Sequence, residues 1–468
     1  MDSHPPATAP GASGRLARLA AARVAVQALG FLWFVYAARR LGASELGVLS
    51  SGLALVVVLG GMSDLGTTRT IVRHVAAVPS SLRANLGRAV RLRLGAGVAL
   101  GAAATAVLPL LSDLRPEVVA LAAWIAVASG TTEVDFAALR SIGGARSEVR
   151  VLILERTSFT VLAVSALALG RGPLVVLALY GLTNTASAVG GAVMAHRLGP
   201  GATPAEPFFD GEGRRTALSS TLLIVAPRVS IVVLVLMGTA PAVAAFAVAQ
   251  KPTEALALLV VAGAAPVLPI LRAKVVAGRG ADASRVAGHL AGAGLAASGG
   301  LVGWFVADPQ GVLALLLGGG STLGGAPVMR TLALGVVLVL IRGALELLLL
   351  AHEQAGQLVW ATSAALVVTV VVGVATIPAH GPSGAAWAAV AGEAVGLLIV
   401  GRGAWRRAGR SDLLPPVLLG ASVAVLTASV VWVLQLGDLG GLGIATAATL
   451  LGLVLARRNV VALDRLSG

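Results

Sequence analysis

Apolar residues run through this chain in blocks of about twenty, separated by short polar stretches. A block of that length, coiled at about 1.5 Å per residue, crosses a hydrocarbon layer roughly 30 Å thick. Fourteen spans are expected: 17–38, 46–66, 92–111, 117–138, 150–169, 173–195, 216–237, 242–266, 286–306, 328–350, 357–377, 384–401, 414–434 and 440–456. They are apolar on all sides rather than along one stripe, the mark of helices buried in lipid or protein. The expected fold is therefore an all-α integral membrane protein. Its organisation reads as a disordered cytoplasmic tail (1–14), a first lobe of six helices (15–196) and a cytoplasmic linker (197–213). A second lobe of six helices (214–402) and a terminal helix pair (403–468) follow. Leu41-Gly42 with Glu45-Leu46-Gly47 has a faint echo in Met237-Gly238 with Pro241-Ala242-Val243, as duplicated transporter halves would.

Composition agrees. The 468 residues are 57% hydrophobic and 12% charged, with a mean hydropathy of +0.91, whereas a soluble chain carries about 25% charged residues. The net charge of +14 raises nucleic acid as a partner. The basic residues, however, sit in short clusters between apolar blocks, without the aromatic interleaving of a single-strand binder. Nucleic acid is excluded on that ground. With the N-terminus inside, 27 basic residues fall on inner segments and 4 on outer ones, which places both termini in the cytoplasm. The remaining four, Arg228, Lys251, Arg330 and Arg342, lie within spans. The chain contains no cysteine, so disulfides, thiolate metal sites and thiol nucleophiles are excluded. The six histidines show no metal-ligand spacing, and no hydrolase or nucleotide-binding motif is present; neither metal, cofactor nor enzymatic activity is expected.

The chemistry rests on charges at membrane depth. Arg228 follows Pro227 in the middle of LLIVAPRVSIVVLVL. An Arg there costs about 2.5–3.5 kcal/mol on insertion scales and must face protein or a wet cavity. Pro227 loosens the helix and frees a backbone carbonyl. Two readings stand: a structural Arg held by carbonyls, or a cavity cation for an anionic substrate. Lys251 and Glu254 lie three apart on one helix face, and Arg342 and Glu346 four apart, so each pair can neutralise itself. Together with Arg228 they suggest a polar interior. Asp64, Glu133, Asp135 and Glu393 add acidic groups that serve as counter-ions, coupling-ion ligands or interface residues.

Several motifs resemble a known family. The stretch AARRLGASELGVLSSGLALVVVLGGMSDLGTTRTIVRHVA is similar to the opening of Wzx-type polysaccharide flippases, of the superfamily that also holds MATE exporters and MurJ. Its Ala38–Gly42 turn, Gly47, Asp64-Leu65-Gly66 and Arg73 carry the likeness. LLLGGGSTLGGAPVMRTLALG, with Arg330, and IPAHGPSGAAWAAVAGEAVG continue it. The family often has an acidic residue just past the centre of helix seven, where this chain has Arg228-Val229-Ser230. The resemblance implies two six-helix lobes around a central cavity and a flippase that moves a polyprenyl-pyrophosphate-linked oligosaccharide outward by alternating access. It implies Arg228, Lys251, Arg342 and Arg23 as substrate-binding residues, with Asp64, Glu254 and Glu346 as counter-ion or coupling groups. The expected partners are that lipid-linked substrate, membrane lipids, and a glycan polymerase or glycosyltransferases, in the bacterial cytoplasmic membrane. A MATE-like cation-coupled drug antiporter is the alternative, and it calls for a mainly acidic cavity. A membrane glycosyltransferase or polymerase is disfavoured by the short outer loops.

Overall fold

A computed structural model describes residues 12–198, 221–222, 224–318, 323–408 and 417. Side chains of the first helix are described from residue 25 onward. The protein is all-helical, with no strand among the described residues. The helices are α1 (Ala12–Arg40), α2 (Ala43–Ser63), α3 (Thr67–Ala77), α4 (Leu82–Leu111), α5 (Pro116–Ser141), α6 (Ala145–Ala168) and α7 (Pro173–Leu198). Then come α8 (Val229–Met237), α9 (Ala240–Val276), α10 (Gly280–Ala307), α11 (Pro309–Leu317), α12 (Ala326–Ala351) and α13 (Ala355–Ala408). Eight described helices are long and apolar enough to cross a membrane.

The expected spans with described residues fall on these helices, with four differences. The polar turn after α2 carries a short amphipathic helix, α3, and the segment after α10 carries a short apolar one, α11. Span 216–237 is interrupted: Ala226–Arg228 forms a 3₁₀ turn around Pro227 before α8 begins, where proline removes one backbone N–H from the helical ladder. Spans 357–377 and 384–401 join as α13, broken only at Gly381, whose φ of 51° and ψ of −127° suit glycine alone. Pro378 and Pro382 flank that break. Spans 414–434 and 440–456 lie outside the described residues.

Large apolar side chains stand exposed along the helices, among them Leu110 at 83%, Leu398 at 70% and Val371 at 61%. Leucines stranded in water in such numbers would be aggregation sites; against lipid tails they are satisfied. This is a multi-pass membrane protein.

Two compact units divide the chain. The first takes residues up to Arg40, Leu55–Val107 and Pro116–Thr221. Within it α5 packs on α3 and α7, and α6 packs on α1 and α7. Ile71, Leu82, Leu86, Phe136 and Leu139 form its dry interior. The second takes Leu41–Ala54, Leu108–Arg115 and the chain from Leu222 on. There α12 is central, packed on α9, α10 and α13 around Leu271, Leu345, Leu348 and Leu349.

The two echoing turns adjoin within this second unit. Gly47 of α2 lies directly against the backbone of Ala240 at the start of α9, where any Cβ would collide with the Ala240 carbonyl. A backbone cannot retreat as a flexible side chain can. Gly47→Ala is expected to destabilise the folded protein by about 1–3 kcal/mol, the usual cost of overpacking. Thermal aggregation of the detergent-purified protein reads this, and an unchanged midpoint refutes it.

Candidate site for an anionic group

Three polar assemblies occupy the apolar helices, and each is built around an arginine. The first is at the Pro227 turn. The 3₁₀ geometry carries Arg228 out of the regular helical path, with φ −106° and ψ −7°. Its Nη1 is ion-paired with Glu254 Oε1 on α9, and the other carboxylate oxygen takes Lys251 Nζ at 3.2 Å. Two cations thus share one carboxylate. The three side chains remain between 26% and 33% exposed. A guanidinium with donors to spare and a neighbouring ammonium can grip a phosphate group bidentately from two sides.

The second assembly is also in the second unit. Arg342 of α12 is buried at 8% exposure. Its Nε meets Glu346 Oε1 at 2.8 Å, Nη1 meets Glu393 Oε2 at 2.9 Å, and Nη2 donates to Thr362 Oγ1 at 3.2 Å. Thr362 and Glu393 lie on the two limbs of α13, on either side of Gly381. Gly396 makes room for the guanidinium, since a Cβ there would stand 2.5 Å from Nη1. Two carboxylates around one arginine leave a formal surplus of one negative charge.

The third assembly is in the first unit. Asp64 closes α2, and the chain reverses through Leu65 (φ 46°) and Gly66 (φ 71°) into α3. Its Oδ1 is ion-paired with Arg93 of α4 and accepts from Thr68 Oγ1 at 2.7 Å. Arg93 Nη2 donates to Gly60 O at 3.2 Å, and Arg93 lies over Gly130 of α5. Asp64 is therefore a counter-ion to a buried arginine. Farther along, Arg156 of α6 donates to the Tyr180 hydroxyl of α7 at 2.8 Å and sits 3.5 Å from Glu155.

Of the sequence-derived candidates, Arg228, Lys251 and Glu254 come together in one cluster and Arg342 and Glu346 in another. Asp64 stands apart in the first unit, and the Arg23 side chain lies outside the described residues. Sequence reasoning missed three things: Arg93 as the partner of Asp64, Glu393 as the second acid on Arg342, and the Glu155–Arg156–Tyr180 group. A signal existed for the first, because Arg93 opens the span 92–111 at the depth where Asp64 closes the one before. Among the described residues no set of three acidic, histidine or cysteine side chains is placed to hold a metal ion.

No family model matches the chain, and no curated protein matches it. Solved structures do. The lipid II flippase MurJ in an inward closed conformation superposes with a TM-score of 0.71 at 11% identity, covering 95% of this chain and 100% of that one. An inward-facing multidrug resistance MATE family transporter of the MOP superfamily gives 0.56 at 16% identity over 96% and 100%. The eukaryotic MATE transporter AtDTX14 gives 0.58 at 15% identity over 89% and 98%. Identities this low speak to fold alone, and on that level the conclusion is plain: the chain has the fold shared by MurJ and the MATE transporters.

Proposed function

We propose that this protein is a flippase for a polyprenyl-pyrophosphate-linked oligosaccharide, moving it from the cytoplasmic to the outer leaflet of a bacterial cytoplasmic membrane. The observation that carries this reading is the Arg228–Glu254–Lys251 cluster, two cations gathered on one carboxylate, partly exposed, and in the middle of an expected span. Neither a pyrophosphate nor a sugar crosses hydrocarbon unaided, because each would strand charges and hydroxyls without partners. A cationic surface at that depth supplies the partners while the prenyl tail stays in lipid. The resemblance to Wzx-type flippases supports the same substrate class, and a glycan polymerase or glycosyltransferases would be its working partners. Arg342, Glu346, Glu393 and Thr362 are the scaffold beside the site in this reading, with Asp64 a counter-ion.

A MATE-like drug antiporter is the second reading, favoured by the net negative charge around Arg342. Deleting the gene separates them. Loss of surface glycan with lipid-linked precursor held on the cytoplasmic leaflet is expected; normal glycan with raised sensitivity to cationic drugs would select the antiporter.

Topology is tested separately, since the cysteine-free chain is a ready background for single-cysteine labelling. Ser44 and Ala277 are both exposed at helix ends. With both termini cytoplasmic, Ser44→Cys in intact cells is expected to react with an impermeant thiol reagent and Ala277→Cys only after lysis. The reverse pattern would invert the orientation.

A further inference from the structure

Asp135 lies inside the first unit on α5, with no exposed surface. Neither of its carboxylate oxygens has a hydrogen-bond partner. Gly191 of α7 presses on it: a Cβ at Gly191 would come within 2.9 Å of the Asp135 Cβ and 3.2 Å of Oδ2. Among the described side chains, the charged groups on the elements packed around α5 are paired elsewhere or exposed. Arg93 of α4 is paired with Asp64, and Arg140 on α5 itself with Glu148. Arg156 of α6 is held by Tyr180 and Glu155. Arg69 and His74 of α3 have partners of their own. His196 and Arg197 are exposed at the C-terminus of α7, beyond Gly191.

An ionised carboxylate with no protein partner and no solvent exposure is among the costliest things a protein interior can hold, so the group is neutral in this packing. Neutral, it carries a proton that the rest of the fold does not explain. A polar seam leads away from it. Ser187, buried, stands one turn before Gly191 on the same face of α7. Glu155 of α6 lies beside Ser187 and within electrostatic reach of the exposed Glu133. Thr132 ties the same two helices, its hydroxyl reaching the Asn184 carbonyl at 3.4 Å.

We propose that Asp135 is a proton-binding site, filled while α5 and α7 are packed together and emptied when water enters their seam, with Ser187 and Glu155 as its route to Glu133. The proton comes from water and returns to it, and its affinity for the site depends on whether the seam is closed. Each change of proton occupancy is thereby linked to a change in how α5 meets α7. As a step in transport this rests on the function proposed above; as a proton site it stands without it.

The test is infrared spectroscopy of the purified full-length protein at neutral pH. The wild type is expected to show the carbonyl stretch of an unionised carboxylic acid, slow to shift on transfer to D2O. Glu155→Gln should keep that band and Asp135→Asn should lose it; a band identical in wild type and Asp135→Asn overturns the proposal. If Asp135→Asn does not accumulate, Asp135→Glu is expected to keep a band at a shifted frequency, and an unshifted band overturns it equally. In cells, Asp135→Asn is expected to reach normal abundance, because the amide matches the neutral acid in shape, with glycan export at least tenfold lower. A lost band with unchanged export would keep the proton site and overturn its coupling to transport. An intact band, together with normal surface glycan in the gene deletion, would overturn the proposed function alone.

Discussion

Arg228→Ala should leave the protein at normal abundance in the membrane and reduce glycan export to a tenth or less. Abundance survives because Lys251 still neutralises Glu254 at 3.2 Å once the arginine is gone. Export falls because the cluster loses one of its two cations and its forked donor. A hydrogen bond to a charged group contributes about 1.5–3 kcal/mol, which is roughly tenfold to more than a hundredfold in affinity. Arg228→Lys keeps the charge without the fork and should fall between the two, since an ammonium meets phosphate as a point. Immunoblot and surface glycan are measured in the same cells. An abundant Arg228→Ala protein that exports normally sinks the site. The double variant Lys251→Ala/Glu254→Ala distinguishes binding from mutual neutralisation, and recovery of export relative to Lys251→Ala would remove Lys251 from the site.

Arg342→Ala should do the opposite and remove the folded protein itself. Its guanidinium is what reconciles Glu346 on α12 with Glu393 on the second limb of α13, and its third bond ties Thr362 on the first limb. Removing one member of a buried ion pair costs about 3–5 kcal/mol, because the remaining charge stays buried and unmatched. Here two carboxylates would be left facing each other. Replacing all three charges by apolar residues of similar size, as in Arg342→Met/Glu346→Leu/Glu393→Leu, should restore abundance, since the desolvation cost disappears with the charges. An Arg342→Ala protein that accumulates and melts like the wild type would show that the assembly is not structural.

The contrast between these two arginines marks where the sequence stops being legible. Spans are written in long apolar blocks, and hydrocarbon thickness admits few alternatives, so α4 to α7 and α12 fall where the pattern puts them. Pairs within one helix were equally readable: three-residue spacing brings Lys251 to Glu254, and four-residue spacing brings Arg342 to Glu346. Pairs between helices were not. Glu393 is fifty-one positions from Arg342 and Arg93 twenty-nine from Asp64; nothing local announces which turns of two helices will face each other. The same limit hid Asp135, whose isolation depends on Gly191 approaching from a helix distant in the chain. The short helices α3 and α11 escaped because eleven and nine residues are too few to cross the hydrocarbon, and span-length reasoning has no purchase on them.

Two of the buried arginines share one construction. Arg93 is laid over Gly130 and Arg342 over Gly396, and in each case a single added carbon would stand 2.5 Å from a guanidinium nitrogen. The vacant volume beside an absent side chain is as much a part of each ion pair as the acid opposite. The charge state of this membrane interior is therefore encoded partly in residues with no charge at all. A change from glycine to alanine at either position would act as an electrostatic mutation, expelling a cation from its acid while leaving the formal charge of the chain untouched.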